Sequence, residues 1–175
     1  MIVSDKIYER WVRELVHRTS RINIGYGFKD KIFMGPVISE NLRSRYRKYC
    51  RAVAKRGHKE LMPGRNLPIR DPKGFYAAPA IWGIRTDSEH LFLNEEPPGP
   101  ILLVYRAKDD AHAIELHNKC IYRLSTSVFT RRTDQELTQF NDALRTGALN
   151  LNRATLGYSM KLPAMGLGRS SGGMA

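Results

Sequence analysis

Cysteine is scarce in this 175-residue chain: Cys50 and Cys120 stand far apart with no CxxC spacing. That excludes a disulfide framework and a thiolate metal site, and it predicts free thiols in a cytoplasmic protein. No apolar run approaches the roughly 18 residues a membrane helix needs. The N-terminus, MIVSDKIYERW, has no basic segment followed by an apolar one, so no secretory leader is expected. Of five histidines only His112 and His117 lie close together, and that spacing puts them on different faces of a helix. No metal site is expected. Acidic side chains are also few, 17 against 29 Lys and Arg, which leaves a net charge of +12 and a pI near 10.0. Such a field attracts polyanions and carries no information about fold.

What remains is an ordinary globular balance, 42% apolar and 26% charged, in a length that favours one domain with a hydrophobic core. Ser4 can cap a first helix, with Ile7, Trp11 and Leu15 beside Tyr8, Val12 and Val16 on one stripe. That helix should end before Gly25-Tyr26-Gly27. A second helix is expected after GPVIS, capped by Ser39, with Leu42, Tyr46, Cys50 and Val53 inward and Gly57 as its stop. Pro63 to Gly74, rich in proline and glycine, reads as a surface loop.

Beyond Gly74 the rhythm changes. Ala80–Thr86 and the apolar run Ile101–Ala107 read as strands. Asp109 opens a helix through Lys119, and Thr126–Thr130 is a further strand. Thr133 and Glu136 form a T-x-x-E capping box for a helix carrying Leu137, Phe140 and Leu144. Gly147 ends that helix, and ALNL is the next strand. This alternation predicts right-handed βαβ units, and so an α/β fold with a three-layer, mostly parallel sheet and flanking helices. The closing Gly/Ser-rich stretch, residues 166–175, is expected to be a mobile tail. No internal repeat is present.

Three features invite a functional reading. In NEEPPGPILLVY, Asn94 to Tyr105, two carboxylates precede a Pro-Pro-Gly-Pro turn and a strand. Locally this is either a solvated turn or a binding carboxylate whose backbone the prolines hold; a carboxylate suits the two hydroxyls of a ribose. The loops at strand ends of a parallel sheet are where α/β proteins place ligands. The second helix carries Arg43, Arg45, Arg47, Lys48, Arg51, Lys55 and Arg56, with Tyr46 and Tyr49 available to stack on bases. These cations circle the helix, and no nucleic-acid-binding motif accompanies them, so a solvated face is the simpler reading. Gly166-x-Gly168 follows no strand and opens no helix, which rules out a dinucleotide fingerprint. Cys50 and Cys120 read as structural thiols.

Read in order, six segments resemble the C-terminal half of the aldehyde dehydrogenase catalytic domain. MGPVIS (Met34 to Ser39) is similar to the family's G-P-L-I-S, and GFYAAPAIW (Gly74 to Trp82) to its G-x-F-x-x-P-T strand opening. EEPPGPIL (Glu95 to Leu102) resembles E-E-x-F-G-P-V-L. AIELHNKCIYRLSTSVFTRR (Ala113 to Arg132) resembles A-I-x-x-A-N-x-x-x-Y-G-L-S-A-x-V-F-T. GALNLNR (Gly147 to Arg153) and LPAMGLGRSSG (Leu162 to Gly172) resemble the closing segments.

The resemblance implies the fold of that catalytic domain, with residues 1–175 as a partial copy, and NAD or NADP as cofactor. It places Glu96, three residues before the motif glycine Gly99, on the nicotinamide-side ribose, with Glu95 as its solvated neighbour. The loop Asn152 to Gly166 is closest to the succinylglutamate semialdehyde dehydrogenase branch, which implies an acidic semialdehyde substrate held by Thr155, Gly157 and Ser159. Pro98 departs from the pattern where an aromatic precedes the glycine, Arg123 where a glycine follows the tyrosine, and Ala164-Met165 where Phe-Gly stands. The cysteine nucleophile, its glutamate base and the cofactor domain precede the matched region in the family. No catalytic residue is therefore assigned here, and the expected partner is a chain carrying that N-terminal part, or a second copy in a homo-oligomer. The other reading is a non-catalytic basic binding module that reuses the fold.

From the charge alone, binding to nucleic acid should be weak, non-specific and strongly weakened by salt, and weaker still when Arg47 and Arg51 are reversed to Glu. Filter binding across a salt series checks this; a tight sequence-specific complex at physiological salt would contradict it.

Overall fold

The apolar run Ile101–Ala107 becomes a central strand in the computed structural model, which describes residues 1–64, 74–88, 91–132, 140–155 and 165–171. The chain divides into two units, Met1–Asp109 and Asp110–Ala175. Among the described residues no helix is long and apolar enough to cross a membrane.

The first unit is built on a four-stranded sheet of β1 (Ile2–Ser4), β2 (Lys59–Met62), β3 (Ala80–Ile84) and β4 (Ile101–Ala107), in the order β1-β4-β3-β2. β1 and β3 run parallel to β4, whereas β2 is antiparallel to β3, with an irregularity between Glu60 and Met62. All five residues of β3 are buried. Successive side chains point to opposite faces, so both faces of β3 are covered, as the near-continuous apolar sequence requires. Val3, Ile81 and Val104 from the sheet meet Val12, Ile24, Met62, Tyr76 and Ala78 in the core. Trp11, Leu15 and Val16 of α1 (Tyr8–Thr19) pack against that cluster, which confirms the predicted stripe.

The start of that helix differs from expectation. Ile2–Ser4 form a strand, Asp5–Ile7 a single 3₁₀ turn, and the Ser4 side chain caps nothing. Pairing decides this: Ile2 opposes Tyr105 and Val3 opposes Arg106. The Arg106 guanidinium then holds Asp5 and Glu9, the latter at 3.0 Å, and fixes the turn into the helix. Ile7, expected on the buried stripe, is half exposed.

α2 (Glu40–Lys55) forms as predicted. Ser39 Oγ accepts from the Leu42 amide at 3.2 Å, and Gly57 ends the turn at a φ of +73°. Its buried face is Tyr46, Tyr49 and Val53, with Leu42 and Cys50 half buried. Between the helices the chain makes a clamped loop. Ile24 bridges to Met34, the Gly25 amide donates to Met34 O, and the Phe33 amide donates to Asn23 O.

The second unit contains α3 (Asp110–Asn118), β5 (Tyr122–Arg123), β6 (Ser125–Val128), β7 (Ala148–Leu151) and β8 (Leu167–Gly168). β6 and β7 pair in parallel, β5 and β8 antiparallel. Three of the five strand pairings among the described residues are parallel. The α/β class with a mostly parallel sheet therefore holds, although these strands fall into three separate ladders. Leu167–Gly168, within the stretch expected to be a tail, are paired. The Thr133–Glu136 capping box and Leu137 lie outside the described residues, while 140–143 are helical.

Arg123 is the departure that seemed costly, because arginine resists a positive φ. It does not take one; it sits in an extended strand. Its guanidinium donates to the carbonyls of Asn118 (3.0 Å) and Cys120 (3.1 Å), so a basic group satisfies acceptors at the end of α3. Asn118 also uses both ends of its amide, donating to Ala143 O at 2.8 Å and accepting from the Arg145 amide at 3.0 Å. His117 lies 3.0 Å from Thr126 Oγ1, and burial pushes its pKa down.

Ile24 is fully buried whereas Phe28, four residues on, is 90% exposed. Ile24→Ala should therefore cost about 2–5 kcal/mol in urea unfolding. Phe28→Ser should change stability by no more than about 0.5 kcal/mol.

Candidate functional site

The turn Asn94–Pro100 owes its shape to its sequence. Pro97, Pro98 and Pro100 each fix φ near one value, and Gly99 takes a φ of +102° that other residues resist. Two backbone bonds complete it: the Ile101 amide donates to Gly99 O at 2.8 Å, and the Ala80 amide to Pro100 O at 2.9 Å. The second ties the turn to the start of β3. A Cβ on Gly99 would meet Tyr46 Cδ2 at 3.4 Å, a contact near the ordinary range, so conformation rather than space calls for glycine.

Both glutamates at the tip are exposed, but their surroundings differ. Among the described residues no hydrogen bond or ion pair engages Glu96. The charge of Glu95 acts on Tyr49, whose pKa is raised chiefly by burial and then by Glu95. The Tyr49 hydroxyl is buried without a hydrogen-bond partner among the described residues. Glu95 is thus coupled to the protein beneath it, and Glu96 is the carboxylate available to a ligand.

Beneath the turn the support is aromatic. Tyr46 donates to Ala78 O at 2.6 Å, and its hydroxyl fills the space at Gly64, where a Cβ would lie 1.8 Å away. Phe92, at a φ of +56°, is buried with its ring edge-on to Tyr49 and His58. Tyr105 donates to Leu91 O at 2.6 Å, which holds the same loop from the β4 side. Nothing in the sequence LFLN marks a turn of this kind; Phe92 is placed by tertiary packing and was not predicted.

The position of the turn corrects one expectation. Ligand loops of open parallel sheets follow the carboxyl ends of strands. Glu95–Pro100 instead leads into the amino end of β4, next to the amino end of β3. A shallow depression of about 250 Å³ lies there, lined by Thr19, residues 79–81 and residues 99–102.

The other candidates fare as follows. Tyr46 and Tyr49 are buried, so neither can stack on a base, while Arg45, Arg47, Lys48 and Arg51 remain exposed. Cys50 is half buried, and its thiol is pushed up chiefly by burial, partly offset by Trp82 and Tyr46. A thiol so shifted is mostly protonated at neutral pH and a poor nucleophile. Thr155 is exposed in the second unit, whereas Glu96 belongs to the first. Gly157 and Ser159 lie outside the described residues.

Comparison with known proteins gives a consistent result. The model of the aldehyde dehydrogenase family matches residues 1–175. Alpha-ketoglutaric semialdehyde dehydrogenase of Bacillus subtilis (strain 168) is 30% identical over 172 residues, 98% of this chain and 35% of the relative. Betaine aldehyde dehydrogenase of the same organism is 34% identical over 134 residues, 75% of this chain and 27% of the relative. Among solved structures, the NAD+ complex of aldehyde dehydrogenase from Bacillus cereus superposes with a TM-score of 0.87 at 26% identity, covering 98% of this chain and 34% of that one. The chain spans about a third of the length of the curated relatives it matches.

Gly99→Ala tests the turn. Forcing alanine to the observed φ should lower stability by about 1–3 kcal/mol, and denaturant unfolding measures it. An unchanged midpoint would mean that the turn does not need its glycine.

Proposed function

The chain belongs to the aldehyde dehydrogenase family, and on that premise we propose that it supplies the C-terminal part of a catalytic domain that oxidises an aldehyde to an acid with NAD or NADP. The observation that carries this reading is Glu96, an exposed carboxylate unengaged by the described protein, on a turn stiffened by three prolines. Two carboxylate oxygens facing two hydroxyl donors fit a ribose diol, and a rigid turn loses little freedom when the contact forms. The residues present therefore fit one corner of a dinucleotide site. When bound, the nicotinamide supplies the hydride acceptor. The residues of this chain hold its ribose through Glu96 and hold Glu96 through Gly99, the prolines and the aromatic bed of Tyr46, Tyr49 and Phe92.

The substrate we propose is an acidic semialdehyde. Relatives of the chain include an alpha-ketoglutaric semialdehyde dehydrogenase and a malonate-semialdehyde dehydrogenase. The segment Asn152 to Gly166, with its likeness to the succinylglutamate semialdehyde branch, would place Thr155, Gly157 and Ser159 as small or hydroxylated hydrogen-bond donors to the distal carboxylate. The positive field of the chain would draw such an anion in. The nucleophile is assigned to the part of the family fold that has no counterpart here, because Cys50 is protonated and half buried.

One charge-assisted contact is worth only about 1.5–3 kcal/mol, far below the roughly 8 kcal/mol of micromolar affinity. The 175 residues alone should therefore neither bind NAD(P) tightly nor turn over. NADH formation from an acidic semialdehyde should appear when a polypeptide carrying the rest of the family fold is added. Glu96→Gln should then lower kcat/KM by about ten- to a hundredfold. Turnover by the purified chain alone would show the nucleophile to be misassigned.

A further inference from the structure

The loop between α1 and α2 places its apolar side chains the wrong way round for a free-standing surface. Its neck is closed by the Ile24–Met34 bridge and by bonds from the Gly25 amide to Met34 O (3.1 Å) and from the Phe33 amide to Asn23 O (2.9 Å). Ile24 and Met34 turn inward onto the core. Phe28 and Phe33 turn outward, 90% and 78% exposed, and Tyr26 stands against Phe28 with ring centroids 5.4 Å apart. Further on, the Val37 amide donates to Phe75 O at 2.9 Å, and this contact leaves Ile38 90% exposed just before the Ser39 cap. Ordered backbone therefore fixes three large apolar side chains in water. Single exposed hydrophobes are ordinary, but several on one clamped loop mark an interaction surface.

We infer that Tyr26, Phe28, Phe33 and Ile38 dock an acidic polypeptide that carries the part of the aldehyde dehydrogenase fold absent from this chain. Two observations choose that occupant. The relatives extend well beyond the matched region, since this chain accounts for 35% of the alpha-ketoglutaric semialdehyde dehydrogenase. The chain also carries a net charge of +12, and exposed Lys29 and Lys31 flank the two phenylalanines, which favours a partner of opposite sign and disfavours a second copy. The inference rests on the proposed function for the identity of the partner, while the surface itself rests on geometry.

The test co-expresses the full 175-residue chain with the unmatched part of the Bacillus subtilis alpha-ketoglutaric semialdehyde dehydrogenase as a separate chain. Sedimentation, with no cofactor present, follows association. A one-to-one complex is expected, weakened at least about tenfold by Phe28→Ser or Phe33→Ser and weakened further as salt is raised. Because both side chains are exposed, the variants should keep the circular dichroism of the parent, which separates docking from folding. Absence of a complex, a complex indifferent to both substitutions, or a homodimer broken by Phe28→Ser would each overturn the inference. NADH formation by a mixture that tolerates Phe28→Ser sinks the surface and spares the enzyme reading. A Phe28-dependent complex without NADH formation does the reverse.

Discussion

The parallel pairing of β3 with β4 is the constraint on which the first unit depends. Five registered pairs, from Ala80 opposite Ile101 to Ile84 opposite Tyr105, set the sheet, and β1 and β2 attach on either side. The bond from the Ala80 amide to Pro100 O continues this ladder one residue into the turn. Glu96 is therefore positioned by strand register. A slip of one residue would exchange the faces of β4 and expose Val104, which is fully buried. The apolar sequence of the strand and the placement of a carboxylate four residues ahead of it are the same physical fact.

Legibility in the sequence follows from how local the deciding interaction is. The caps at Ser39 and Gly57 act within a turn of helix, and both were readable. β4 was readable because burial on both faces leaves a continuous apolar run. Ser4 misled because a short β-branched segment, Ile-Val-Ser, is captured by β4 from far along the chain, and no local signal competes with that. Arg123 misled in the opposite sense. Reasoning from an expected glycine predicted strain, while the structure uses the long side chain to satisfy carbonyls that an exposed helix end would leave to water. The carboxyl-end rule for ligand loops failed because strand direction relative to a motif follows from topology, which local pattern does not contain.

The site shows the same division. That Glu95-Glu96 sits on a rigid turn was readable from proline and glycine. Which carboxylate faces outward was given by the resemblance, and the structure adds a physical basis for it. Tyr49 lies under Glu95 with a buried hydroxyl, and the two groups raise each other's cost of ionisation. Glu96 has no such neighbour pressing on its charge among the described residues. Phe92 was invisible to local reasoning because a buried aromatic at positive φ is stable only when the packing around it overrides its backbone preference.

Charge and burial together also limit what these residues do by themselves. The exposed cations of α2 surround two tyrosines that are turned into the core, so the helix offers positive charge without a stacking platform. That combination gives long-range attraction and little recognition, because screened surface charges act non-specifically while stacking and directed hydrogen bonds discriminate. The one directed group in the first unit is Glu96, and a single carboxylate discriminates only when other groups fix the ligand against it. A rigid turn that presents one contact, beside a clamped loop that presents Phe28 and Phe33 to water, is ordered in advance of anything that would complete it. Ordering in advance lowers the entropic cost of assembly, and a turn held by register and a loop held at its neck are both built for that purpose.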